Sequence, residues 1–249
     1  MSETDLIFYN IMTIQEFIYN YREAFGEAAP LPIALAYGNA PVAEVKSVSR
    51  CMIGAISKVR GGEPLTLCAE NVLCGGGGLY TAFKPMPERV PVFVSEVEHY
   101  KQSKEMVVEY IEGLGIEPAG KPYLNFVRVD KLNCWDEAEA LIFFVVPDIL
   151  SGLCTWAFYD NNSSDAVTTQ FASGCASIIT FAVNENRDGG RRCFLGMLDP
   201  SAHPLVPENE LTFTIPMCRF KEMLGTMNDS ALYQKAFSVL KRRVNGELK

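Results

Sequence analysis

Two cysteines of this 249-residue chain stand in settings that could activate a thiol. Cys74 opens a run of four glycines, Gly75, Gly76, Gly77 and Gly78, and Cys175 lies within Ser173-Gly174-Cys175-Ala176-Ser177. Four consecutive glycines cost backbone entropy wherever they are ordered. The run reads as a loop whose amide N–H groups of Gly75, Gly76 and Gly77 could cradle an anion or cofactor, with the Cys74 thiol turned inward. A plain tight or flexible connection explains it equally. If Ser173 caps a helix, Cys175 falls in the first turn, where amide dipoles favour the thiolate. That suits a nucleophile or redox group. The plainer alternative is a small buried residue that lets a helix pack closely.

Other side chains could complete a site. Arg191 and Arg192, with Arg187, flank Asp188-Gly189-Gly190, and guanidinium groups beside a glycine turn can hold a carboxylate or phosphate bidentately. Asn161 belongs to the polar patch Tyr159-Asp160-Asn161-Asn162, a position where ligand contacts and ordinary turns both occur. Of the two histidines, His203 is the better placed for acid–base or nucleophilic work, since it follows the Asp199 turn. No Cys-x-x-Cys pair exists, so a zinc ribbon is not expected, and a multi-His site is not available. A metal or cluster would have to gather distant thiols such as Cys51, Cys74 and Cys175. Neither the phosphate-loop nor the dinucleotide glycine pattern is present.

Composition bounds the partners. With 22 basic against 30 acidic residues and a net charge of −8, the chain is a poor match for nucleic acid, while 48% hydrophobic residues exclude disorder. The acidic start Met1-Ser2-Glu3-Thr4-Asp5 is unlike the basic opening of an export signal, so a cytoplasmic location and reduced thiols are expected. The most apolar window, Ala140 to Phe158, is broken by Pro147, Asp148, Ser151 and Gly152. It reads as a buried strand and a turn, not a membrane span.

The elements that must carry these residues follow from periodicity. Thr13-Ile14-Gln15-Glu16 has the form of a capping box, followed by a helical face of Phe17, Ile18, Tyr21 and Phe25. Strands are expected at Ile33–Tyr37, Leu65–Cys68, Val90–Val94, Tyr123–Val129, Ala140–Val146, Cys193–Met197 and Leu211–Ile215. Helices are expected over Val42–Arg60, from Ser95 to Gly113–Gly115, over Ala166–Ala172, from Gly174 through Phe181, and in two segments at the end, the last capped by Asn228 or Asp229. The fold class is α+β, with a mixed sheet and outer helices.

Residues 30–115 and 122–228 read alike, with a C-terminal helix over 229–246. In each, a cysteine in or near a helix precedes a Gly-Gly stop, after 10 residues from Cys51 and 14 from Cys175. Either an internal duplication or the ordinary alternation of an α+β chain accounts for this. A fused pair would turn Cys74-Gly75 and Asp199-Ser201 toward one cleft.

The sequence resembles the ArCR family, a domain of unknown function from archaea and anaerobic bacteria. The likeness rests on Pro32-Ile33-Ala34-Leu35, Cys51, Cys74-Gly75-Gly76, Gly174-Cys175-Ala176 and Glu210-Leu211-Thr212-Phe213-Thr214-Ile215-Pro216. Many members are described by a further turn rich in Cys and containing Arg. Here that stretch is Asp199-Pro200-Ser201-Ala202-His203, with neither residue type. If the family site were a multi-thiolate metal site, this chain would be a ligand short.

These residues suggest a cleft that binds a small anionic metabolite or cofactor of unknown identity, with Cys74, Gly75, Gly76, Gly77, Asn161, Arg191 and Arg192 as contacts. A thiol- or metal-dependent enzyme using Cys175 and Cys74, with His203 as a further catalytic candidate, is the alternative. A structural or interaction protein without an active site is the third class. The residues alone leave open whether chemistry follows binding, and in what oligomeric state.

Overall fold

The computed structural model describes residues 12–48 and 51–248. The acidic start at Met1–Asp5 lies outside the described residues.

A continuous apolar strand sets the architecture. In β4 (Ala140–Val145) all six residues are buried, so it must be covered on both faces. It lies between β1 (Ile33–Gly38) and β7 (Leu211–Pro216), with which it pairs antiparallel over six residues. With β2 (Leu65–Leu67), β3 (Tyr123–Arg128), β5 (Val167–Thr168) and β6 (Cys193–Gly196), the sheet runs β2-β3-β1-β4-β7-β6-β5. Every pairing is antiparallel except β5 with β6.

Strand alternation divides the apolar side chains between two cores. Leu141, Phe143, Val145, Phe213 and Ile215 face α1 (Ile14–Phe25), α6 (Pro147–Tyr159) and α8 (Met217–Leu224). Ile33, Leu35, Ala140, Ile142 and Phe144 face α2 (Met52–Lys58), α3 (Gly75–Tyr80), α5 (Lys104–Gly113) and α7 (Phe181–Arg187). The remaining helices are the short α4 (Val90–Val92) and the terminal α9 (Lys235–Val244). The chain is therefore an α+β protein with a mixed sheet and outer helices. β3, from residues 122–228, pairs with β1 and β2 from residues 30–115, so the two look-alike stretches share one interleaved sheet.

The capping box at α1 forms as its sequence dictates. The Thr13 side chain accepts from the Glu16 N–H at 3.3 Å, and the Glu16 carboxylate accepts from the Thr13 N–H at 2.7 Å. Several other segments differ from their local pattern. Val90–Val94 is helical, not a strand: α4 continues into a π-helical turn, Phe93–Val97, that packs on α5. The next helix starts at Lys104, capped by Ser103, because His99 takes a positive φ of 55° and breaks the run. Helix α2 begins only at Met52, and Val42–Lys46 is irregular. The apolar stretch after Val145 is not a turn but helix α6, with Pro147 in its first turn, where its missing N–H costs nothing. Val167 and Thr168 add β5 to the sheet where a helix was expected, and α9 starts after Gln234, later than Asp229. Among the described residues, no helix is long and apolar enough to cross a membrane.

Candidate functional site

The four-glycine run is a helix, not a loop. Cys74 holds extended backbone at its start, and Gly75–Tyr80 forms α3. Each glycine in a helix costs about 1 kcal/mol relative to alanine, so packing must require them. A Cβ on Gly77 would come within 3.1 Å of Val72 Cγ1, and one on Gly78 within 2.8 Å of Lys84 Cδ. A Cβ on Gly76 would meet only the Tyr80 ring, at 3.9 Å. Gly76 faces open space, and that space is a cavity.

The cavity holds about 240 Å³ and lies among the starts of α2 and α3, the α4–π turn, α5 and the segment Phe171–Cys175. Its walls are largely aromatic and aliphatic, with Tyr80, Phe93, Val94, Tyr110, Ile111 and Phe171 among them. Three thiols, Cys51, Cys74 and Cys175, line it. So do Asp199 and Ser201, from the turn that follows β6. The π-helical turn Phe93–Val97 lines it through Phe93 and Val94, a second, Ala176–Thr180, follows directly on Cys175, and such turns recur at functional sites.

Cys175 occupies the first helical turn after Ser173, whose Oγ accepts from the Ala176 N–H at 3.3 Å. Its thiol is buried and lines the same cavity as that of Cys51, which is half-buried and precedes Met52. This pairing separates the two acidities. Donation from Cys175, assisted by the Ile53 N–H, lowers Cys51 to about 7, against the opposing effects of burial and the Asp199 charge. The same contact, then burial, pushes Cys175 well above the ordinary thiol value. By contrast, burial pushes Cys154 up to about 11 and Cys193 up to about 12. Of the two, Cys51 is therefore the thiol that ionises first. A first-turn position does not activate Cys175, because a fully buried sulfur beside another thiol is the worse place for charge.

The polar groups around the thiols are few. Tyr110 lines the cavity, yet its hydroxyl is buried without a hydrogen-bond partner. Burial holds that hydroxyl up at about 12, so it stays protonated. The Lys101 ammonium lies 4.6 Å from the centre of the Tyr110 ring. Asp199 accepts from the Tyr100 hydroxyl at 3.2 Å and from the Ser201 N–H at 2.9 Å. Burial, then the Asp199 charge, raises Glu98.

Cys74, Gly76, Gly77 and Cys175 thus meet at one cavity, while Gly75 faces Pro87. The remaining sequence candidates lie elsewhere. Arg191 pairs with Glu222 at 2.8 Å and Asp160 at 3.3 Å, and Arg192 with Glu185. Asn161 donates to the Arg191 carbonyl at 3.4 Å and accepts from the Ser163 N–H. Acidic neighbours occupy the guanidinium groups, so they provide no counter-charge at the cavity. The His203 ring donates from Nε2 to the Met197 carbonyl at 2.6 Å. Met197 has a positive φ of 63°, so His203 braces the strained turn that leads to Asp199.

Sequence reasoning passed over Cys51 as a reactive group, although Cys51, Cys74 and Cys175 share a legible signal: each sits where a helix begins. Among the described residues, no group of three or more His, Cys, Asp or Glu is placed to hold a metal ion.

Residues 29–226 match the family model described as uncharacterised ArCR. No curated protein and no solved structure matches the chain.

Proposed function

The chain belongs to the uncharacterised ArCR family, and we propose that its cavity binds a small, largely apolar organic molecule, held by aromatic walls and met at one side by the thiols. The observation that carries this reading is a largely apolar cavity of about 240 Å³ lined by Tyr110, whose hydroxyl is buried without a partner. A buried polar group without a partner costs roughly 1–3 kcal/mol, and a ligand with an acceptor atom would relieve that cost. Convergence of a few polar groups on an apolar hollow is the usual form of a small-molecule site. The volume exceeds the roughly 150 Å³ of an engineered core cavity that takes benzene, so a substituted single ring fits.

The sequence favoured an anionic ligand. The lining supports a neutral one better, because Glu98 and Asp199 outweigh Lys101, and Arg191 and Arg192 are engaged elsewhere. Thermal unfolding with indole, benzyl alcohol or benzoate tests this reading. The neutral rings should raise Tm in proportion to the logarithm of their concentration, and benzoate should raise it less. Equal or greater stabilisation by benzoate would restore the anionic reading. No effect from any of the three would remove the cavity as a site for one-ring ligands.

A further inference from the structure

We infer that Cys51 and Cys175 form a dithiol–disulfide couple that the cavity presents to a small organic disulfide. The inference rests on the cavity reading above and gives it a substrate class. Its basis is juxtaposition. Both thiols line the same cavity, Cys51 half-buried and Cys175 buried. Their chain segments are in contact, since a Cβ on Gly174 would lie 3.4 Å from Ile53 Cδ1. The aromatic walls suit the organic arms of a disulfide. The difference in burial gives the order of events: Cys51, the less buried of the two, reacts first, and Cys175 resolves what Cys51 has bound. The acidities agree with that order, because the less buried sulfur ionises first and the buried one keeps its proton.

The step balances. The Cys51 thiolate attacks one sulfur of R–S–S–R, the S–S bond breaks, and R–S⁻ leaves to take a proton from water. Cys51 now carries the mixed disulfide. The Cys175 sulfur attacks Cys51 Sγ, its proton passes to the second departing R–S⁻, and a Cys51–Cys175 disulfide remains. Two electrons move from the dithiol to the substrate, which becomes two molecules of R–SH. Excess monothiol reverses the sequence. Cys74, the third thiol of the cavity, takes no part.

The test uses 2,2′-dithiodipyridine, a neutral aromatic disulfide, with released thione followed by absorbance and the protein by intact mass and peptide mapping. At pH 7 a thiol with pKa of about 7 is half ionised. Against an unfolded thiol with pKa of about 8.5, and after allowing for its lower intrinsic nucleophilicity, it should react about three- to fourfold faster than the same thiol in unfolded chain. Wild-type protein should release two thiones per chain in this phase and end with Cys51 joined to Cys175, without a retained pyridyl group. Cys175→Ser should release one and keep the adduct on Cys51. Cys51→Ser should lose the fast phase. A stable pyridyl adduct on wild-type Cys51, or a bridge from Cys51 to Cys74, would overturn the couple. Should indole bind and the pair fail to close, the couple falls and the cavity reading stands. Should the pair close equally fast in Gly76→Leu, with indole binding lost, the reagent does not arrive through the cavity and the presentation step is overturned.

Discussion

Cys51 and Cys175 line the same cavity, and their mutual influence pushes the acidities of the two sulfurs in opposite directions. Protons leave such a pair in two steps that belong to both groups, the first charge residing mainly on Cys51. Alkylation by iodoacetamide should therefore rise through a midpoint near pH 7, with label on Cys51 and almost none on Cys175. Replacing the donor, in Cys175→Ala, removes the largest influence lowering Cys51, and the midpoint should climb toward the ordinary thiol range of about 8.5. Peptide mapping of rate against pH measures both. A wild-type midpoint above pH 8 would contradict the assignment.

Gly76 offers a separation of stability from binding. Its backbone is helical, and an added side chain would touch only the Tyr80 ring before entering the cavity. Gly76→Leu should gain roughly 0.5–1 kcal/mol of helix propensity, less any clash with the walls. The variant should unfold at or slightly above the wild-type temperature, yet lose stabilisation by indole. Gly77→Leu and Gly78→Leu should instead fold poorly, since a Cβ at Gly77 is already crowded by Val72 and one at Gly78 overlaps Lys84. Calorimetry of the three variants distinguishes a helix that needs glycine for packing from one that keeps a glycine to stay open.

The contrast among these glycines also marks what the sequence could disclose. Where neighbours along the chain determine the element, pattern is sufficient: Thr13 and Glu16 cap α1 within four residues, and the apolar run of β4 demands a central strand. Gly75–Gly78 has the composition of a loop, yet it forms a helix in which Val72, Lys84 and Pro87 leave little room for side chains at Gly77, Gly78 and Gly75. Val90–Val94 favours a strand by residue type, yet packs on α5 instead. The site behaves likewise. Cys74 and Cys175 stood out by local setting, whereas the importance of Cys51 comes from a partner 124 positions away, taking 175 less 51. Arg191 and Arg192 looked available because Asp160, Glu185 and Glu222, which engage them, lie elsewhere in the sequence.

Tyr110→Phe tests the cavity from the ligand's side. Its hydroxyl has no partner in the empty protein, so removing it should leave stability unchanged or raise it slightly. If the hydroxyl donates to the ligand, affinity for benzyl alcohol should fall about fivefold, equivalent to roughly 1 kcal/mol. Titration calorimetry gives the affinity and scanning calorimetry the stability. A variant that is destabilised with unaltered affinity would make the hydroxyl structural.

Away from the cavity, Arg219 makes a stability prediction with a defined sign. Its side chain is fully buried, bonded to Asp160, to Glu222 at 2.9 Å and to the Ala157 carbonyl at 3.1 Å. The Arg219 hydrogen bond lowers the Asp160 carboxyl below its ordinary value of 3.8, against the effect of its partial burial. A carboxylate depressed in the folded state adds stability that is fully present above its unfolded value and is lost as pH falls through the folded one. Unfolding free energy should therefore decline below about pH 4, and the decline should be shallower in Arg219→Ala, where Asp160 titrates more nearly as it does unfolded. At pH 7, Arg219→Ala should cost about 3 kcal/mol, the low end for breaking a buried pair because Asp160 is partly exposed. Glu222→Gln should cost at most about 1 kcal/mol, since that carboxylate is 48% exposed. Urea unfolding of both variants at pH 7 and pH 3.5 measures the two effects together, and equal costs for the two substitutions would show that Asp160 is not the partner on which Arg219 depends.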